Sequence, residues 1–122
     1  MEARTRKEIK KYMRQAIIEA KKAAMELESS AAAQDLAALR HENAALAHAG
    51  QALSFVLSAE TVYISGAGEC EWYEFECIVQ QAKAFVRELT ANFERNRGHE
   101  WSLIEHEKLM QEIQGTEFEF EL

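Results

Sequence analysis

Proline is absent from the whole chain, and only five glycines occur among its 122 residues. Proline ends helices because its ring removes a backbone donor and clashes with the preceding turn. Sheet-rich folds rely on proline and glycine at their turns, so a chain poor in both favours long helices. At this length one core is expected, and we predict that residues 1–122 form a single helical domain.

Residues 4–28 show the first helical pattern. Apolar side chains recur at steps of three and four from Ile9 to Leu27, which is the spacing of one helix face. Ser29 and Ser30 offer a break, although the acidic or amide residue of a capping box is missing three positions later. The sequence leaves two arrangements open, which are a hairpin with the next helix or one long, kinked helix.

Residues 31–60 carry the clearest pattern in the chain, a leucine heptad. Leu39, Leu46 and Leu53 are seven residues apart and take the d positions, so the a positions fall at 36, 43, 50 and 57. Asn43 at an a position is a known device for fixing the register of paired helices. Neighbouring alanines leave room for a close approach. We predict that this face pairs with another helix, from the same chain or from a second copy.

The second half of the chain, residues 69–114, is predicted to be an aromatic-rich helical pair. A connection is expected over residues 61–68, where β-branched residues run into glycine. The third helix should begin near Glu69 and end before Gly98, which is expected to be its left-handed cap. Residues 99–114 are expected to form the fourth helix. The predicted fold class is an all-α bundle of about four helices.

The tail, residues 116–122, alternates between acidic and apolar side chains. A period of two is the spacing of an extended strand, with Phe118, Phe120 and Leu122 on one side. A lone strand is unstable. The tail is therefore expected to be frayed, packed on its own domain, or added to the sheet edge of a partner.

The net charge of −7 conceals a strong asymmetry along the chain. Residues 1–22 have a balance of +5, and the other hundred residues have a balance of −12. This layout suits head-to-tail self-association or two different partners, and it equally suits a basic helix that lies on its own acidic body. The acidic remainder would repel a duplex, so direct nucleic-acid binding is not expected.

Four histidines raise the question of a metal site. His41 and His48 are seven residues apart, as are His99 and His106. One ion is normally reached by helix residues three or four apart, whereas seven residues span two turns. In the heptad, His41 and His48 take the exposed f position, so we interpret them as solvated surface residues and expect no metal.

The sequence contains no recognisable phosphate loop, zinc-type cysteine pairing, serine elbow or nucleotide fingerprint. Cys70 and Cys77 have acidic neighbours, which disfavour a reactive thiolate. We therefore expect no cofactor and no enzymatic activity. No signal peptide, membrane span or disulfide framework is recognisable, so a cytoplasmic location without a membrane partner is expected.

Two large aromatic residues, Trp72 and Tyr73, lie among glutamates at the start of the third helix. They are interpreted either as caps of the core or as an exposed anchor for a partner. The neighbouring carboxylates of Glu69, Glu71 and Glu74 suit the positive end of a helix. On an exposed surface the same carboxylates would imitate phosphate groups.

Three functional classes follow, and the first is preferred. It is a non-enzymatic helical protein–protein interaction module, an adaptor or regulator that self-associates as a homodimer. The alternative is a small acidic inhibitor that blocks the basic, nucleic-acid-binding surface of a protein partner, in the manner of phage anti-defence proteins such as anti-CRISPRs. The third is a metal- or carboxylate-dependent enzyme without a recognisable motif. The residues predicted to bind a partner are Leu39, Asn43, Leu46, Leu53, Glu69, Glu71, Trp72, Tyr73, Glu74, Phe118 and Phe120.

Overall fold

Four helices make up most of the computed structural model, which describes residues 1–66 and 71–122. In chain order they are α1 (Ala3–Ala32), α2 (Asp35–Gly66), α3 (Tyr73–Glu94) and α4 (Glu100–Ile113). No strand occurs in the described ranges. The prediction of an all-α bundle is confirmed. None of these four helices is both long enough and apolar enough to cross a membrane.

Helices α1 and α2 form an antiparallel hairpin, and their contact is the most extensive one in the bundle. The turn lies at Ala33 and Gln34, and Asp35 adopts a positive φ of 52°, a conformation that aspartate tolerates better than most residues. The break predicted at Ser29 and Ser30 is therefore placed too early. Ser30 stays helical because it is buried in the hairpin, where its hydroxyl lies within hydrogen-bonding distance of a carboxylate on α2.

Alanines form the face through which α2 packs in the hairpin. Buried residues recur along α2 at alternating steps of four and three, and none of them is more than 2% exposed. Small side chains at these positions let two helices approach closely, as in a narrow coiled-coil seam. We call this face the alanine seam; it consists of Ala45, Ala49, Ala52, Val56 and Ala59.

The segment predicted as a connection, from Thr61 onward, is helical as far as Gly66. Its β-branched residues follow the helix because Val62 and Tyr63 pack against the core, and packing overrides a weak local preference for strand. A Cβ atom at Gly66 would lie 2.6 Å from Thr5 Cγ2, so a side chain there would force Thr5 to move. The predicted third-helix start at Glu69, together with Cys70, lies outside the described residues.

The bundle closes as a ring in which α3 packs on α2 and α4, and α4 also contacts α1. A buried hydrogen bond joins the last two helices, since Asn92 Nδ2 donates to Ser102 Oγ at 2.9 Å. The left-handed residue after α3 is Asn96, with φ of 53°, so the cap predicted at Gly98 is wrong. Gly115, with φ of 79°, follows the end of α4.

Candidate functional site

The predicted leucine heptad lies on α2 beside the alanine seam, where the chain covers it only in part. Three of its members are strongly exposed, at 67% for Leu36, 48% for Leu39 and 47% for Leu57. The remaining two, Leu46 and Leu53, are half-buried at the margin of the core. We call these five leucines the leucine ridge.

The middle of the leucine ridge is shallow. Asn43 is exposed there, and a Cβ atom added to Gly50 would have no neighbour within 4 Å. Below the C-terminal end of the ridge, Ile64 is 76% exposed. An apolar stripe interrupted by a small residue can receive large side chains from a second helix at the interruption.

On the other flank of the alanine seam, two histidines of α2 contact glutamates of α1. His41 Nδ1 lies 2.6 Å from Glu26 Oε2, and His48 Nδ1 lies 2.6 Å from Glu19 Oε2. The two pairs are one heptad apart on both helices, so they fix the antiparallel register of the hairpin. Both histidines remain partly exposed at the surface, as predicted, at 38% for His41 and 30% for His48. Their contacts with glutamates were not predicted, and they arise because the alanine seam draws this flank against α1. Within the described ranges, no three His, Cys, Asp or Glu side chains could together hold a metal ion.

His106 of α4 is largely buried against the core. Its ring packs on Phe85 with centroids 5.3 Å apart. Burial lowers the pKa of His106, an effect that the Glu28 carboxylate opposes and the Lys21 ammonium reinforces. The neutral ring is therefore the form that the fold favours.

This lowered pKa gives an expected dependence of stability on pH. In the unfolded chain His106 has the ordinary histidine pKa of about 6.5. In the folded chain its pKa lies below this value, so the folded state takes up the proton only at lower pH. The contribution of His106 is therefore fully present above that value, and it is lost as the pH falls below it. The free energy of unfolding, measured with urea, should fall more between pH 7.5 and pH 5.5 for the wild type than for His106→Gln. Equal decreases in the two proteins would contradict this expectation.

The tail, residues 116–122, is folded onto its own chain and does not form the predicted strand. The backbone N–H of Glu119 donates to the carbonyl of Thr116, and the Thr116 hydroxyl donates to the carbonyl of Ile113 at 2.6 Å. These bonds turn the chain directly after α4. Of the three arrangements that the sequence allowed, the structure shows the tail packed on its own domain, with Phe118 fully buried.

Phe118 belongs to a cluster of aromatic rings at one end of the bundle. Its ring centroid lies 4.9 Å from that of Trp72 and 6.1 Å from that of Phe75, and Tyr63 lies 4.9 Å from Phe75 on the other side. Trp72 is only 6% exposed. The reading of Trp72 as a core cap is therefore correct, and its reading as an exposed anchor is wrong because the tail covers it. Phe118 is likewise an internal contact in this structure.

A cation from α1 joins this cluster to the tail. The Arg6 guanidinium lies 4.2 Å from the Trp72 ring centroid, and its Nη2 donates to Glu117 Oε2 at 2.9 Å. Both side chains of this ion pair are 45% exposed, so its contribution is about 1 kcal/mol or less. The buried rings hold the tail, and the ion pair orients it.

The acidic residues at the start of α3 remain on the surface. Glu71 and Glu74 are exposed, and Tyr73 between them is 76% exposed. A hydrogen bond with the Cys77 thiol raises the pKa of the Tyr73 phenol, and the Glu112 carboxylate adds to the effect. The predicted contact Glu69 lies outside the described residues.

The predicted partner-binding residues thus fall into separate groups. The ridge leucines share one face of α2, the exposed glutamates surround Tyr73, and Phe118 packs inside the chain while Phe120 is half-buried. The histidine–glutamate pairs were missed, although the seven-residue spacing of Glu19 and Glu26, matching that of the histidines, was a usable signal. In comparisons with protein-family models, curated proteins and solved structures, the chain matches none of them.

Proposed function

We propose that this chain is a non-enzymatic helical interaction module that forms a homodimer through the leucine ridge. The observation that supports this is a row of heptad-spaced leucines that remains about half exposed or more at Leu36, Leu39 and Leu57. Exposed apolar stripes of this kind are typical of protein interaction sites. A second copy is the favoured occupant because one heptad face supplies both sides of a two-fold interface.

The spacing of large and small residues favours an antiparallel pair. When Leu39 is placed opposite Leu57 of the partner subunit, Leu46 falls opposite the gap at Gly50, and Leu53 falls opposite Asn43. The two-fold axis generates each contact twice. Leu39 and Leu57 thus meet each other, and Leu46 and Leu53 meet the open middle of the ridge, which is the complementarity that close helix packing requires. Leu36 falls opposite Glu60, at the end of the paired segment.

Leu39→Glu tests this function. The substitution should weaken self-association by about a hundredfold, because the dimer loses two leucine contacts and must accommodate two carboxylates in their place. Leu39 is half exposed within its own chain, so the helices should remain folded. Sedimentation equilibrium gives the dissociation constant, and circular dichroism gives the helix content.

Gln51→Glu is the matched control, since it adds a carboxylate to an exposed position of the same helix away from the ridge. Self-association should be unchanged in this variant. If Leu39→Glu associates as strongly as the wild type, the leucine ridge is not the interface and the proposal fails.

The acidic surface supports a second candidate, an inhibitor of a basic, nucleic-acid-binding protein. Glu71, Glu74 and the exposed Tyr73 offer carboxylates beside an aromatic ring, which suits a basic partner surface. Salt separates the two functions. Pairing through leucines persists at about 1 M salt, where the Debye length is roughly 3 Å, whereas binding through these carboxylates is lost.

A further inference from the structure

The tail is bound like a ligand in a groove between α1 and α4. Its Phe118 ring enters the aromatic cluster, and Phe120 packs edge-on against Phe118 with centroids 6.4 Å apart. The groove itself is lined by Ile17 of α1 and Met110 of α4. The tail thus buries Phe118 and part of Phe120 in the protein while its acidic side chains stay outside.

Basic side chains of α1 lie beside the acidic tail. Arg6 binds the Glu117 carboxylate, and Arg14 Nη2 lies 3.5 Å from the carbonyl oxygen of Glu121. Lys7 and Lys10 line a surface pocket together with Arg6 and Glu117. This side of α1 therefore favours an acidic segment over a neutral or basic one.

The tail fills this groove only in part. A cavity of about 360 Å³ remains between the tail and the two helices, Phe120 is half-buried, and Leu122 is 47% exposed. The groove thus has room for further apolar contact.

The link between the tail and α4 is short and local. Gly115 has a left-handed backbone, and its N–H donates to Glu119 Oε2 at 2.8 Å. The Thr116 hydroxyl adds one bond to the end of α4. The tail can therefore leave the groove by rotation at Gly115 without unwinding the helix.

We propose that the α1–α4 groove is a peptide-binding site for an extended segment of alternating acidic and aromatic residues from a partner, and that the chain's own tail is the internal competitor for this site. Competition from a tethered segment acts at a local concentration of about a millimolar. A free peptide should consequently bind the intact chain weakly, and it should bind more tightly once the tail is displaced. This proposal is independent of the leucine ridge.

The test uses a fluorescent peptide with the sequence of residues 116–122 and measures its anisotropy with the full chain. Binding to the Phe118→Ala chain should be at least about tenfold tighter than to the wild type, because the internal competitor has lost its anchor. Added salt should weaken binding of the peptide, since basic side chains flank the groove. Phe93→Ala, which truncates a half-buried ring of α3 outside the groove, should bind the peptide as weakly as the wild type.

A second variant guards against loss of the fold in Phe118→Ala. Glu117→Lys combined with Glu121→Lys changes only exposed side chains, and the resulting repulsion from Arg6 and Arg14 should also release the tail. Circular dichroism shows which of these two variants stays folded. The proposal is overturned if a folded variant binds the peptide no better than the wild type. It is equally overturned if a peptide carrying alanine in place of Phe118 binds as well. The same assay on Leu39→Glu should match the wild type, which separates this site from the dimer interface.

Discussion

Replacing Phe75 with alanine should lower the free energy of unfolding by about 3–5 kcal/mol. Its ring is 1% exposed and contacts Tyr63, Trp72 and Phe118, so the substitution removes the centre of the aromatic cluster. These three neighbours come from the end of α2, the residue before α3, and the tail. They cannot close together over the resulting cavity, because each is held by a different segment.

Urea unfolding followed by circular dichroism measures the effect of Phe75→Ala. Tyr73→Ala provides the comparison, because it removes an aromatic ring that is two residues away and 76% exposed; its effect should stay within about 0.5 kcal/mol. Similar losses in the two variants would show that the cluster does not hold the tail and the helices together.

Replacing Ala49 with phenylalanine should cost about 3 kcal/mol, near the upper end of overpacking effects. Ala49 is completely buried in the alanine seam, at the level where His48 contacts Glu19 of α1. A ring at this position would push the hairpin helices apart, and it would break this histidine–glutamate contact. The loss therefore combines strain with the cost of leaving the largely buried Glu19 carboxylate without its histidine partner.

Ala47→Phe makes the same substitution two residues earlier, on an exposed face of α2. It should change the free energy of unfolding by no more than about 0.5 kcal/mol. If Ala49→Phe is tolerated as well as Ala47→Phe, the alanine seam is not a close helix contact and the arrangement of α1 and α2 is incorrect.

The helical class could be predicted because local and long-range signals agree in this chain. The lack of proline and the heptad spacing favour helix, and the buried face of α1 from Ile9 to Leu27 follows the predicted period. Element ends were harder to place. The β-branched residues after Glu60 stay helical because Val62 and Tyr63 reach the core, and this contact depends on helices far away in sequence.

The candidate site could be predicted only in part from the sequence, for a similar reason. Both the leucines and the alanines of α2 recur with a heptad period, so the sequence gives two adjacent faces that could pair with α1. The hairpin uses the alanines, since small side chains permit the closer approach, and the leucine ridge is left at the surface. Nothing local to Leu39 reveals which of the two faces is covered.

The tail shows a different limit. Alternation correctly separates Phe118 from its acidic neighbours, but a strand needs a neighbouring strand, and none occurs in the described ranges. The turn at Gly115 and Thr116 and the ring contact between Phe118 and Trp72 decide where the tail lies. The partner of Phe118 is thus set by the assembled bundle.

The most direct measurement is sedimentation equilibrium of the wild-type chain over a range of concentrations, at low and at high salt. We expect a single-chain species in equilibrium with one of twice the mass, and a dissociation constant that salt changes little, because the leucine ridge pairs through apolar contacts. A mass equal to one chain at every concentration up to about a millimolar, which corresponds to a binding free energy of roughly −4 kcal/mol, would contradict homodimer formation through α2.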